Sequence, residues 1–277
     1  MTNTIKGNLK HIVSEMLTKT HGNKYRSGLV LSGGAAHGFA HLGVLQAMEE
    51  MDIVPDIISG ASAGAIVGSL YADGFSTEEI LEMFANSNLL GFVSLKVRKQ
   101  GLFDISGLRK IMKNNLRTKR IEDLKIPLVI ATTNLDSATT AYFDKGNLVD
   151  VVLASSSIPV LFNPVVIGEK YYVDGGITDN FPVEPLVDVC EEITGVNVNP
   201  VGGFDPTGDG LLQLAVYTFH ISVYSRVDAK RKYLDHFVEP KELASYSYLD
   251  LSAAREMSQL GYEEAKKVLG DKYAPSK

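Results

Sequence analysis

The sequence predicts an α/β fold with a mainly parallel central sheet, and three observations carry that prediction. Apolar runs of strand length alternate with stretches whose apolar residues recur at helical spacing. The junctions between them are built from glycine and other small residues, which suit sharp strand-to-helix turns. The chain is also long and apolar enough to bury a large core, with 277 residues of which 45% are hydrophobic and 22% charged.

Taken in order, residues 1–27 are polar overall, yet Ile5, Leu9, Ile12, Val13, Met16 and Leu17 recur at helical spacing, so an amphipathic helical extension is expected there. Residues 28–277 are expected to form a single domain. Gly28–Leu31 reads as a strand, Phe39–Glu49 as a helix, Ile57-Ile58 as the heart of a second strand and Ala63–Ala72 as a second helix. Further strands are expected over 127–133, 141–143, 165–173 and 193–198, and helices around 77–86, 106–115, 148–155, 183–189, 211–234 and 251–269. The stretch 202–210 is the clearest loop, because five of its nine positions are Gly or Pro.

Composition excludes several classes. No apolar stretch approaches the ~20 residues that cross a bilayer, and the first residues lack the apolar core of a signal peptide, so a cytoplasmic location is expected. The single cysteine, Cys190, excludes a disulfide framework and a sulfur-rich metal site. A net charge of -6 gives no reason to expect nucleic acid as a partner. Acidic residues and histidines do not cluster at metal spacing, so neither a metal nor another cofactor is expected.

Three segments could carry chemistry. Ser62 lies in Gly60-Ala61-Ser62-Ala63-Gly64, directly after an apolar run and before a helix, which is the pattern of a nucleophile elbow. Upstream, Ser32-Gly33-Gly34-Ala35-Ala36-His37-Gly38 links a strand to a helix and offers backbone N–H groups to an anion, either a phosphate or the oxyanion of an acyl transfer. Its spacing matches neither a dinucleotide fingerprint nor a P-loop, and a turn that merely lets helix and strand pack is an equal reading. Asp174 ends an apolar run and precedes Gly175-Gly176, where a hairpin corner is the plainer reading and a catalytic base the sharper one. A triad would want a histidine after the aspartate, and the two available are His220, in an apolar helical stretch, and His236, with no loop signature around it.

In this order the segments resemble the patatin-like phospholipase family, bacterial branch, over about residues 28–190. Ala154–Pro159 and Thr178–Val183 also look like the family segments that bracket its aspartate motif. The resemblance implies a three-layer α/β/α fold and a lipid acyl hydrolase using a Ser-Asp dyad. Ser62 and Asp174 would be catalytic, and Gly33, Gly34, Ala35, Ala36, His37 and Gly38 would form the oxyanion loop, with the N–H groups of Gly34, Ala35 and Ala63 as donors. The substrate would be a lipid or small ester, cleaved through an acyl-enzyme. This chain departs from the pattern at Ala35, where a third glycine is usual, and at His37, where Arg or Lys is usual. A charge at His37 near the site would make activity on anionic lipid weaken above its pKa.

Two alternatives stay open: a Ser-His-Asp esterase or thioesterase, and a non-catalytic module binding phosphate or nucleotide. Peripheral membrane contact is open too. The apolar run 89–95 with the basic cluster 96–99, and Arg226, Lys230, Arg231 and Lys232, fit a bilayer surface. They fit a buried segment with a solvated charge run about twice as well. Oligomeric state is not legible.

Overall fold

A computed structural model of the chain describes residues 25–85, 105–202, 211–248 and 250–273. The expected N-terminal helix, the 89–99 segment and most of the 202–210 loop lie outside the described residues, as does the side chain of His220.

Strand β1 (Tyr25–Leu31) passes through a 3-10 turn (Ala35–Gly38) into helix α1 (Phe39–Glu50), and β2 (Ile57–Ala61) passes into α2 (Ala63–Ala72) and α3 (Thr77–Ala85). Next come α4 (Ser106–Asn115), β3 (Leu128–Asn134), β4 (Thr139–Phe143) and α5 (Leu148–Ser155). The hairpin β5 (Val165–Ile167) and β6 (Lys170–Asp174) leads to two short helices, α6 (Gly176–Asp179) and α7 (Glu184–Val187). β7 (Cys190–Val196), α8 (Leu211–Lys230), β8 (His236–Val238) and α9 (Ala254–Tyr273) complete the described fold. The single strand expected over 165–173 is this hairpin, broken at Gly168, whose φ of 63° suits a turn. β1 begins three residues before the expected strand, which draws Tyr25 to Ser27 into the sheet.

The eight strands form one sheet in the order β5-β6-β3-β2-β1-β7-β8, with β4 also pairing β3. The β1–β2, β2–β3, β1–β7 and β7–β8 pairs are parallel, and the pairs of β3 with β4, β3 with β6 and β5 with β6 are antiparallel. Both faces are covered, so the parallel strands read as continuous apolar runs. Leu29, Leu31, Ile58, Leu128 and Ile130 face the layer made by α1, α2, α3, α5 and α9. Their alternates Val30, Ile57, Val129 and Ile193 face Phe181, Val183, Leu186 and Val227 on the other side. The result is the three-layer α/β/α arrangement expected from the sequence.

One detail of the register positions the site. At Ile130 and Ala131, β3 pairs with both β2 and β4, and at Thr132 to Asn134 it pairs with both β6 and β4. A strand has two edges, so β4 occupies one and β2 and β6 share the other end to end. β2 runs up that edge until Ala61 opposes Ala131, and β6 runs down it until Asp174 opposes Thr132. Two strands thus meet head to head on consecutive rungs of β3, with Ser62 following the last residue of one and Asp174 ending the other. Among the described residues no helix is long and apolar enough to cross a membrane.

Candidate active site

Ser62 has φ 50° and ψ -119°, a left-handed conformation that a residue with a Cβ adopts only when its surroundings impose it. The imposition comes from Gly64 and from Ser155. A Cβ on Gly64 would lie 2.3 Å from the Leu31 carbonyl oxygen, so only glycine lets α2 start this close to β1. The Ser62 N–H donates to Ser155 Oγ at 2.9 Å, and its carbonyl accepts the Ile66 N–H at 3.0 Å to open the helix.

The turn points the hydroxyl at Asp174: Ser62 Oγ donates to Asp174 Oδ2 at 2.7 Å. The other carboxylate oxygen, Oδ1, accepts the Gly176 N–H at 2.7 Å. Asp174 is only 2% exposed, and burial raises its pKa to about 6, against the opposing pull of the Ser62 hydroxyl and the Gly176 N–H. Its backbone is pinned too, with its N–H on the Ser157 carbonyl at 2.9 Å and its carbonyl accepting Thr133 Oγ1 at 2.8 Å. Asp174 is therefore the last residue of a strand that enters α6, and the hairpin-corner reading does not describe it.

The glycine-rich loop lies beside the elbow, since a Cβ on Gly33 would come within 3.0 Å of the Ser62 Cβ and one on Gly38 within 2.6 Å of the Ala63 Cβ. Its N–H groups divide into two sets. Gly33 donates to the Asn180 carbonyl at 3.0 Å, Ala36 to the Tyr248 carbonyl at 3.1 Å and His37 to the Gly34 carbonyl at 3.0 Å. The N–H groups of Gly34 and Ala35 make no such bond among the described residues, and Ala63 is the first residue of α2, where a helix leaves its N–H unpaired. Ala35 takes φ 48°, a conformation that glycine adopts freely and that costs an alanine about 1–2 kcal/mol.

His37 does not present a charge to the site. Its ring is fully buried, stacks on Tyr248 at 4.0 Å between centroids, and sets Nδ1 3.0 Å from the Val198 carbonyl and Nε2 3.0 Å from the Tyr246 carbonyl. Burial lowers its pKa, outweighing the two carbonyls that favour the charged form. The neutral ring donates to one carbonyl, and only the imidazolium donates to both. The expected weakening on anionic lipid as His37 loses its charge therefore lacks its physical basis.

The described histidines do not complete a triad. His41 is fully buried, contacts the Ser32 carbonyl through Nε2 at 2.8 Å, and has a pKa lowered by burial to about 4. His236 pairs with Glu192 at 2.8 Å on β8, three strands and about 14 Å from β2. The basic residues near the end of α8 turn inward or along the surface. Lys230 Nζ bonds Asp179 Oδ1 at 2.5 Å, Glu184 Oε2 at 2.8 Å and the Phe181 carbonyl at 2.9 Å, while Arg226 caps the carbonyls of Ile177 and Thr178. Arg231 lies over the Phe237 ring, and Lys232 over that of Tyr233. Among the described residues no three His, Cys, Asp or Glu side chains are placed to hold a metal ion.

Sequence reasoning missed Ser155 and Asn199. Asn199 Nδ2 donates to the Gly33 carbonyl at 2.5 Å from beyond β7, with no local signal to announce it. Ser155 had one, a run of three serines closing an apolar helix, which was legible only as a segment flanking the aspartate motif.

The fold and the site together define a doubly covered α/β protein in which a serine is set against a buried carboxylate, beside a loop whose Gly34 and Ala35 N–H groups make no hydrogen bond among the described residues. The family model described as Patatin-like phospholipase matches residues 29–187, more than half of the chain, and the protein belongs to that family. An uncharacterised NTE family protein of Mycobacterium bovis is 30% identical over 173 residues, covering 61% of this chain and 48% of the relative. A protein named lysophospholipase NTE1 of Kluyveromyces lactis is 32% identical over 192 residues, covering 66% of this chain and 13% of the relative. The chain thus spans about half the length of the first of these and a small part of the second. The crystal structure of VipD from Legionella pneumophila superposes with a TM-score of 0.56 at 15% identity, covering 90% of this chain and 67% of that one, a likeness of fold.

Proposed function

We propose that the protein is a serine esterase acting as a lipid acyl hydrolase of phospholipase A type, with Ser62 as nucleophile and Asp174 as general base. The 2.7 Å contact between Ser62 Oγ and Asp174 Oδ2 is the observation that carries this reading. Asp174 takes the hydroxyl proton as Ser62 Oγ attacks the ester carbonyl. The resulting oxyanion is bound by the N–H groups of Gly34, Ala35 and Ala63, at about 3–4 kcal/mol for each well-aimed donor. Asp174 returns the proton to the leaving alcohol, and the acyl group stays on Ser62. Water then gives a proton to Asp174 and attacks the acyl-enzyme, and Asp174 returns that proton to Ser62 Oγ as the acyl–Oγ bond breaks, releasing the fatty acid and restoring the ionised carboxylate.

A carboxylate with a pKa near 4 is a weak base at neutral pH, and burial moves this one to about 6, closer to the value that general-base catalysis favours. The relatives named as lysophospholipases make single-chain phospholipids the first substrate class to try. Hydrolysis of lysophosphatidylcholine and of p-nitrophenyl esters from short to long chains should occur with the wild type and vanish with Ser62→Ala. A fluorophosphonate should label the wild type one to one and leave Ser62→Ala unlabelled. A wild-type protein that takes no label and cleaves none of these substrates would sink the reading.

A further inference from the structure

We propose that Ser155 is a positioning residue that sets the separation of Ser62 and Asp174, holding the elbow through its side chain and the aspartate loop through its main chain. The proposal rests on the serine-hydrolase reading above and adds to it a residue that touches neither substrate nor reacting atoms.

Ser155 is the last residue of α5 and is fully buried. Its hydroxyl has one hydrogen, which donates to the Ala131 carbonyl at 2.7 Å, and a lone pair that accepts the Ser62 N–H at 2.9 Å. These roles cannot be exchanged, because a carbonyl only accepts and an N–H only donates. The hydroxyl rotor is therefore fixed, and the elbow is tied to the β3 residue paired with Ala61. The Ser155 carbonyl accepts the Gly175 N–H at 3.2 Å, directly after Asp174. Its neighbours extend the strap: the Ser156 hydroxyl reaches the Ser62 carbonyl at 3.5 Å, and the Ser157 carbonyl takes the Asp174 N–H at 2.9 Å. Both partners of the dyad are thus referred to one turn of chain.

Two of the strap's contacts to Ser62 depend on side chains, and of these that of the Ser155 hydroxyl, at 2.9 Å against 3.5 Å for that of Ser156, is the shorter. Without it the Ser62 N–H is a buried donor with no acceptor, which is costly enough to move the backbone. Ser62 is already in a strained conformation, so relaxation draws its hydroxyl away from Asp174. A displacement of about 1 Å at reacting atoms lowers turnover by up to about 100-fold.

The test compares Ser155→Ala, Ser155→Thr, which keeps the hydroxyl, and Ser155→Cys, which keeps the volume with a weak acceptor. Ser69→Ala is the control, because Ser69 is equally buried and its hydroxyl only returns to the Ile66 carbonyl. With p-nitrophenyl butyrate, Ser155→Ala should lose about 10- to 100-fold in kcat with KM within about twofold, and fluorophosphonate labelling should slow in parallel. The acidic limb of its pH profile should move to higher pH, since the Ser62 hydroxyl no longer helps hold Asp174 ionised. Ser155→Thr should recover most of the turnover, and Ser69→Ala should leave kcat and the pH limb in place. If Ser155→Ala does not fold, the ratio of labelling rates between Ser155→Cys and Ser155→Thr carries the same test. Equal labelling rates across the Ser155 variants, with the wild type labelled normally, would overturn the proposal. A wild type that takes no label would instead overturn the hydrolase reading beneath it.

Discussion

The two halves of the site are held in different ways. Ser62 and Asp174 are fixed by a few residues around one point of β3, with Ala131, Thr133 and the turn 155–157 making the contacts. The glycine-rich loop is fixed from many directions: Asn180 and Asn199 grip Gly33, Tyr248 takes the Ala36 N–H, and Val198 and Tyr246 face the His37 ring. The contacts of the first half fall inside residues 29–187, the stretch that matches the family model. Most partners of the second lie beyond it. A serine and an aspartate set where two strands meet on consecutive rungs of β3 are held by that register instead.

Changes at the dyad should therefore abolish turnover, and changes at the loop should only weaken it. The largest effect is expected for Asp174→Asn, which keeps the shape and removes the base: kcat should fall by about 1,000-fold or more, measured with a short p-nitrophenyl ester. The same variant should be more stable than the wild type. The folded state raises the Asp174 pKa from 3.8 to about 6, so above pH 6 the native protein carries a buried charge that the unfolded chain would rather hold in water. That costs about 3 kcal/mol at pH 8 and shrinks as pH falls toward 4, where the unfolded carboxylate also protonates. Urea unfolding of both proteins at pH 8 and pH 5 checks this, and an Asn variant no more stable at pH 8 would contradict it.

The pH profile gives the next effect. With Asp174 as the base, kcat/KM should drop about tenfold per pH unit below about 6. A limb near pH 4 would place the working carboxylate in water rather than in this pocket. His37→Ala comes third: removing the ring should lower kcat by about tenfold and stability by about 2–3 kcal/mol, because two carbonyls lose their facing nitrogens and Tyr248 loses its stacking partner. A loss of turnover as large as that of Asp174→Asn would erase the contrast between the halves. The smallest effect is that of Ala35→Gly. It relieves the left-handed strain but adds freedom to the unfolded chain, so stability should rise by no more than about 1 kcal/mol with kcat unchanged within about twofold.

The same contrast governs what could be read from the sequence. The elbow is legible as a local pattern, a small-residue turn after a strand, whereas the acid before two glycines reads locally as a hairpin corner and is singled out only by the family resemblance; the sheet register brings the two together. The alternation of apolar runs likewise gave β1, β2, β3 and β7 and the helices α1, α2 and α5, because both faces of the sheet are buried. The β5–β6 hairpin was read as one strand, since Gly168-Glu169 is too short an interruption to stand out among apolar neighbours. The support of the glycine loop was not legible, because His37 meets Tyr246 across 209 residues and Asn199 meets Gly33 across 166. His37 looked like a charge at the site because nothing in its own heptapeptide says that the ring turns inward.

Ser62 and Asp174 are 112 residues apart in the chain and meet beside β3, one just after the residue paired with Ala131 and the other opposite Thr132. The geometry of the pair is thus a property of one ladder rung and the next, and is blind to the length of polypeptide that joins them. Extra residues spliced into an exposed bend such as Gly168-Glu169 should lengthen that path at a modest entropic cost and leave the rate of acylation where it was. A scaffold with this wiring is free to accept new surface segments between these two side chains while the distance separating them stays constant.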